Sequence, residues 1–219
     1  MKWPITCVDN FFDNPDEIVE FANSCKYKKS QDGSWPGERT EPLHLINVDF
    51  FKKLTKKIIS LIYPMQTNNI QLMAKSHFQK IKGNDYENEG WVHDDRGFEF
   101  TSIIYLTKDE DCGTSIFQAK KFDVSPINTS KKHERFSNLD KITGSTEKIY
   151  LKQNNDQFKK TCSFSSEYNR IITFDSHNFH GVDSYGGNKE NERLTLITFF
   201  EDIYFPKIKF PITEMKRII

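Results

Sequence analysis

The feature that most constrains this chain is a change of period near residue 69. Before it, apolar residues recur at helical spacing. After it, they alternate or run together in segments rich in Ile, Thr, Phe and Tyr, residue types that suit a pleated strand. The strand segments are 70–81, 100–107, 112–117, 161–164, 168–175 and 193–200, with a shorter one at residues 5–8. The helical pattern occurs twice. Asn14-Pro15-Asp16-Glu17 reads as a cap residue, Pro at the first helical position and a Glu closing a capping box, followed by the apolar stripe Ile18, Phe21 and Ala22. A second helix over 49–62 carries Phe50, Phe51, Leu54, Ile58, Ile59 and Leu61 on one side and Lys52, Lys53, Lys56 and Lys57 largely on the other.

Two short helices followed by many strands fit a mainly β chain with flanking helices (α+β). The expected architecture is a double-sheet jelly roll, a cupin-like double-stranded β-helix with the two N-terminal helices packed on the sheet. The expected layout is one domain over 1–219: helical support at 1–68, a strand core at 69–202 and a tail at 203–219. Residues 33–40 are turn-rich and read as a loop anchored by Trp35, with Trp35 and Arg39 near a pocket mouth as the alternative. The polar, lysine-rich stretch 118–157 is too long for an ordinary connection and reads as a functional flap, partly helical or mobile.

Charge narrows the partners. The 31 Lys and Arg balance the 31 Asp and Glu, so no basic field argues for a nucleic-acid partner. Four scattered cysteines form no C-x-x-C pair, which disfavours a zinc knuckle or a disulfide framework. With no signal pattern and no membrane-spanning apolar run, the expectation is a cytoplasmic protein. The pattern specifies no oligomeric state.

The chemistry concentrates at Trp91-Val92-His93-Asp94-Asp95. His93 and Asp95 are two apart, so on an extended strand both project to one face. One further imidazole from a distant strand completes a 2-His-1-carboxylate facial set, which leaves metal positions open and suits non-haem Fe(II). His180 and His177 compete for that role, and His180 is favoured because Gly181 after it permits close packing. His77, mid-strand, reads as a structural group. Arg193 opens an otherwise apolar strand and Tyr105 sits within another. A buried guanidinium and a buried phenol both need polar partners, which a dicarboxylate ligand supplies.

In order along the chain, Trp91 to Asp95, Ile103-Ile104-Tyr105-Leu106-Thr107, Cys112-Gly113-Thr114, Asn169 to Phe174 and Arg193-Leu194-Thr195-Leu196 resemble the Fe(II)/2-oxoglutarate-dependent oxygenases. The resemblance is nearest to the prolyl-4-hydroxylase-like branch and spans residues 70–202. It implies that His93, Asp95 and His180 bind Fe(II), and that Arg193, Tyr105 and Thr195 hold 2-oxoglutarate as co-substrate. With O2, a substrate C–H bond would be hydroxylated and succinate and CO2 released. Thr107 and Cys112 stand where that family more often has Asn and Gly, and the interval from His180 to Arg193 is longer than usual. Asp95 argues against a halogenase, and Phe199, six residues beyond Arg193, against a nucleic-acid demethylase. The alternatives are a metal-free jelly-roll binding module and a zinc hydrolase on the same three ligands. The resemblance implies a peptide or protein side chain, prolyl in the first instance, or a free amino acid or small metabolite. Substrate choice would fall to loops 83–90, 35–39 and 118–157.

Overall fold

In the computed structural model, the described residues are 3–62, 70–82, 90–108, 112–121, 145–185 and 192–204. Their elements follow in chain order. The first part comprises β1 (Thr6–Val8), α1 (Pro15–Ser24), β2 (Tyr27–Lys29), β3 (Glu38–Thr40), α2 (Leu43–Ile46) and α3 (Val48–Ile62). The strand-rich part comprises β4 (Gln71–Lys82), β5 (Phe100–Tyr105), β6 (Thr114–Ala119), α4 (Ser145–Asn155), β7 (Phe158–Phe164), β8 (Ile171–Asp175), β9 (Phe179–Val182) and β10 (Glu192–Tyr204).

Two antiparallel sheets form, a seven-stranded one in the order β1-β8-β5-β10-β4-β3-β2 and a three-stranded one in the order β7-β6-β9. This is the expected mainly β jelly roll with helices packed on one sheet. The reason is visible along β10. Leu194, Leu196 and Phe200 join the helix-facing core with Phe78, Phe100, Ile104, Leu54, Ile58 and Ile59. Arg193, Ile197 and Phe199, on the alternate positions, line a cavity on the other face. A strand covered on both faces reads as a continuous apolar run, which is why β5, β8 and β10 stand out in the sequence.

Phe100 and Phe200 are directly opposed across β5 and β10. Their rings stack with centroids 4.1 Å apart and planes 11° from parallel, both fully buried. Phe100→Ala is therefore expected to destabilise the fold by roughly 3–5 kcal/mol, read as a shift in the denaturant midpoint at unchanged slope.

Several expectations need correcting. Asn14 sits at the N-cap of α1 with Pro15 following, as expected, but its side chain makes no cap bond and instead donates to the Glu17 carboxylate at 3.2 Å. On α3 the buried residues are Leu54, Thr55, Ile58, Ile59 and Ile62, while Phe50, Phe51 and Leu61 are half-buried against the same core. Segment 33–40 is not all loop, because its end is β3, which pairs with both β2 and β4. Of the 118–157 stretch, α4 is described, 122–144 lie outside the described residues, and so do 83–89 and the tail from 205. No helix among the described residues is long and apolar enough to cross a membrane.

Candidate metal centre and adjoining cavity

His93 and His180 are brought together by the backbone. They form an isolated antiparallel bridge, exchanging both bonds: His93 N–H to His180 O at 2.9 Å and His180 N–H to His93 O at 2.7 Å. Directly opposed residues of an antiparallel pair project to the same face. The two rings accordingly sit side by side, centroids 4.4 Å apart.

Each ring is also held by its other nitrogen. His93 Nδ1 lies 2.7 Å from the Trp91 carbonyl and His180 Nδ1 lies 2.9 Å from the Asn178 carbonyl. A carbonyl only accepts, so each Nδ1 carries the proton and each Nε2 is the atom left to ligate. Both Nε2 atoms face Asp95, at 3.7 Å from Oδ1 for His93 and 3.3 Å from Oδ2 for His180. The three donor atoms lie within 4.8 Å of one another. Adjacent corners of an octahedron with bonds near 2.1 Å are about 3 Å apart, so the set needs little adjustment to take a metal ion. Thr101 donates to Asp95 Oδ2 at 3.2 Å and shares a bond with Ser176, which steadies the carboxylate.

The segment leading to His93 is pinned by α4. Asn155 accepts from Val92 N–H at 3.0 Å and donates to Gly90 O at 2.9 Å, and Asn154 donates to Val92 O at 2.9 Å.

His177 takes no part in the cluster. Its side chain is 63% exposed and its ring is turned to Asp175 at 3.1 Å. His177→Ala is expected to leave metal affinity unchanged in an anaerobic metal titration. The glycine after His180 is not what places it, because a Cβ at Gly181 would meet only ordinary contacts at 3.5 Å. The strand pairing, not the glycine, selects His180.

A cavity of about 360 Å³ lies between the sheets and is lined by all three donors together with Arg193, Thr114, Ile197 and Phe199. Arg193 is 3% exposed and donates from Nε to the Cys112 carbonyl at 3.1 Å. Its NH2 has no partner, and neither do the buried hydroxyls of Tyr105, Thr195 and Thr114. Tyr105 and Thr195 are opposed across β5 and β10, and the Arg193 guanidinium carbon is 5.7 Å from the Tyr105 ring centre. Burial pushes the Tyr105 phenol up to about 12, opposed in part by the Arg193 charge and the nearby Thr114 hydroxyl, so it stays a neutral donor.

Sequence reasoning assigned no role to Thr114, although it lies in the quoted Cys-Gly-Thr, nor to Thr101. The signal for Thr101 was its period-2 alignment with Ile103 and Tyr105. His77 is held as expected, its Nδ1 2.9 Å from the Thr40 carbonyl, while its ring also borders the cavity.

The profile of a family of unknown function, DUF6445, matches residues 1–200. The chain belongs to that family. No curated protein matches the sequence. Among solved structures it is similar to the non-heme alpha ketoglutarate dependent epimerase SnoN from nogalamycin biosynthesis, at TM-score 0.54 and 11% identity over 90% of this chain and 77% of that one. It is also similar to HygX from Streptomyces hygroscopicus with nickel and 2-oxoglutarate bound, at 0.52 and 9% over 90% and 82%. A prolyl hydroxylase from Trichoplax adhaerens, in complex with a hypoxia inducible factor peptide fragment, aligns at 0.51 and 15% over 90% and 82%. These likenesses establish that this DUF6445 chain has the fold of the 2-oxoglutarate-dependent oxygenases.

Proposed function

We propose that the protein is an Fe(II)- and 2-oxoglutarate-dependent dioxygenase that hydroxylates a C–H bond of its substrate and releases succinate and CO2. The observation carrying this reading is that one cavity is lined both by the three-donor cluster and by Arg193 and Thr114, whose NH2 and hydroxyl are buried without a hydrogen-bond partner. An N,N,O donor set with both imidazoles presenting Nε2 suits a divalent first-row metal. A guanidinium N–H and three hydroxyls suit a carboxylate, which accepts at roughly four lone-pair sites.

His93, Asp95 and His180 would hold the iron, with Thr101 orienting Asp95. Arg193, Tyr105 and Thr195 would hold the distal carboxylate of 2-oxoglutarate, and Thr114 closes the same pocket from the opposite sheet. Iron with 2-oxoglutarate and O2 supplies the oxidising chemistry, while Ile197 and Phe199 line the cavity with apolar surface that limits water. The motif order supports the prolyl-4-hydroxylase-like branch, and the four free cysteines support a reducing, cytoplasmic setting.

Anaerobic addition of Fe(II) and then 2-oxoglutarate tests the reading. A visible metal-to-ligand charge-transfer band, followed by succinate formation on admitting O2, is the expected result. Failure to retain iron or to develop the band would sink the oxygenase reading in favour of a metal-free binding module.

A further inference from the structure

Arg39 is a cation of the cavity wall that the chemistry above does not use. It lies on β3 opposite Gln79 of β4, which is opposite Thr195 of β10, which is opposite Tyr105 of β5. The four residues form one row across the sheet, so Arg39 shares the face that carries the co-substrate cluster. Its guanidinium carbon lies 4.9 Å from the Trp35 ring centre and 5.4 Å from that of Phe199. Phe199 is opposed to Thr101, the residue that donates to Asp95. Arg39 therefore leans along the wall toward the metal donors, held between two aromatic rings.

The loop before it is built to place it there. Gly37 has φ +67°, and a Cβ at that position would lie 2.1 Å from the Lys80 carbonyl, so only glycine lets the loop lie this close to β4. Gln79, itself buried, donates from Nε2 to the Pro36 carbonyl at 2.6 Å.

The guanidinium makes no direct ion pair among the described residues. Its Nε is buried without a hydrogen bond. Arg39 is half-buried and borders both this cavity and a second depression beside Thr40 and His77, while protein surrounds it at longer range. That surrounding pushes its pKa down to about 10, with the charge of Asp95 opposing, and the group remains a cation at neutral pH. A cation drawn partly out of water without a directly paired counter-ion is costly. The other cations of the cavity are committed: Lys75 pairs with Glu201, and Arg193 belongs to the co-substrate cluster.

We propose that Arg39, seated between Trp35 and Phe199, is a specificity-determining residue that binds a carboxylate on the substrate, and that the substrate is a small carboxylic acid. This rests on the oxygenase reading. The size supports a small molecule: about 360 Å³ is at the lower end of ligand sites, and the co-substrate occupies part of it. The aromatic wall of Trp35, Phe98 and Phe199 suits an apolar body attached to that carboxylate.

The test uses protein loaded anaerobically with Fe(II) and 2-oxoglutarate and titrated with benzoate, benzamide and phenyl phosphate. Tryptophan fluorescence and perturbation of the charge-transfer band are the readouts. Benzoate is expected to bind at least about tenfold more tightly than neutral benzamide, and Arg39→Met to lose that preference, as removal of a charged hydrogen-bonded pair implies. Arg39→Lys, which keeps the charge without the planar fork, is expected to retain part of it and carries the test if Arg39→Met does not fold. Equal binding of benzoate and benzamide, or unchanged benzoate affinity in the variants, overturns the proposal. Tighter binding of phenyl phosphate than of benzoate overturns the carboxylate assignment. A parent protein with no charge-transfer band overturns the oxygenase reading and this inference with it, whereas a normal band without charge discrimination overturns this inference alone.

Discussion

His180→Ala is expected to lower metal affinity by more than about 100-fold, since removal of even an outer partner of a ligand typically costs roughly 10–100-fold. His180 supplies one of the three donors that lie within reach of one another among the described residues, and its Nε2 faces Asp95 at 3.3 Å. Equilibrium dialysis against Fe(II) under anaerobic conditions measures the loss. His180 also packs against Phe174, with ring centroids 4.6 Å apart, so the alanine variant leaves a small void beside the core. His180→Gln keeps most of that volume and is expected to lose metal to a similar degree. Retained affinity in both variants would remove His180 from the metal set.

Arg193→Met is expected to weaken 2-oxoglutarate binding roughly 10–100-fold, the range implied by about 1.5–3 kcal/mol for a hydrogen bond to a charged group. The buried NH2 has no protein partner, so the co-substrate carboxylate is the group that would satisfy it. Removing this charge while no ligand is present should cost little stability, because the variant also loses the burden of a desolvated cation. The two effects separate in one experiment. The parent gains about 2.7 kcal/mol of stability at a 2-oxoglutarate concentration 100 times its Kd, and the variant at that same concentration gains far less. Denaturant unfolding with and without 2-oxoglutarate, at fixed metal, reads both numbers. An identical ligand-induced shift in the variant would show that Arg193 does not hold the co-substrate.

Much of the architecture was legible in the sequence because its signals are local. The change of period near residue 69 separates helices α1 and α3 from the strand-rich part. The spacing of Arg193, Thr195, Ile197 and Phe199 puts these residues on one face of β10, and the spacing of Thr101, Ile103 and Tyr105 does the same on β5. His93 and Asp95, two apart, were readable as a pair for the same reason. These properties depend on neighbouring residues, and a side-chain period is written directly into the order of the chain.

Tertiary structure alone decided the rest. That His180 rather than His177 meets His93 follows from a bridge between segments 87 residues apart in sequence, a register no local pattern encodes. Thr114 reaches the Arg193 pocket because the smaller sheet faces the larger one, and Asn154 and Asn155 reach Val92 because α4 docks beside it. Arg39 lay in a stretch that reads as loop, since three residues are too few to show a strand period, and only pairing with β4 turns it toward the cavity. Periodicity sets which face a side chain takes, whereas the partner across that face is set by how distant strands pair and close.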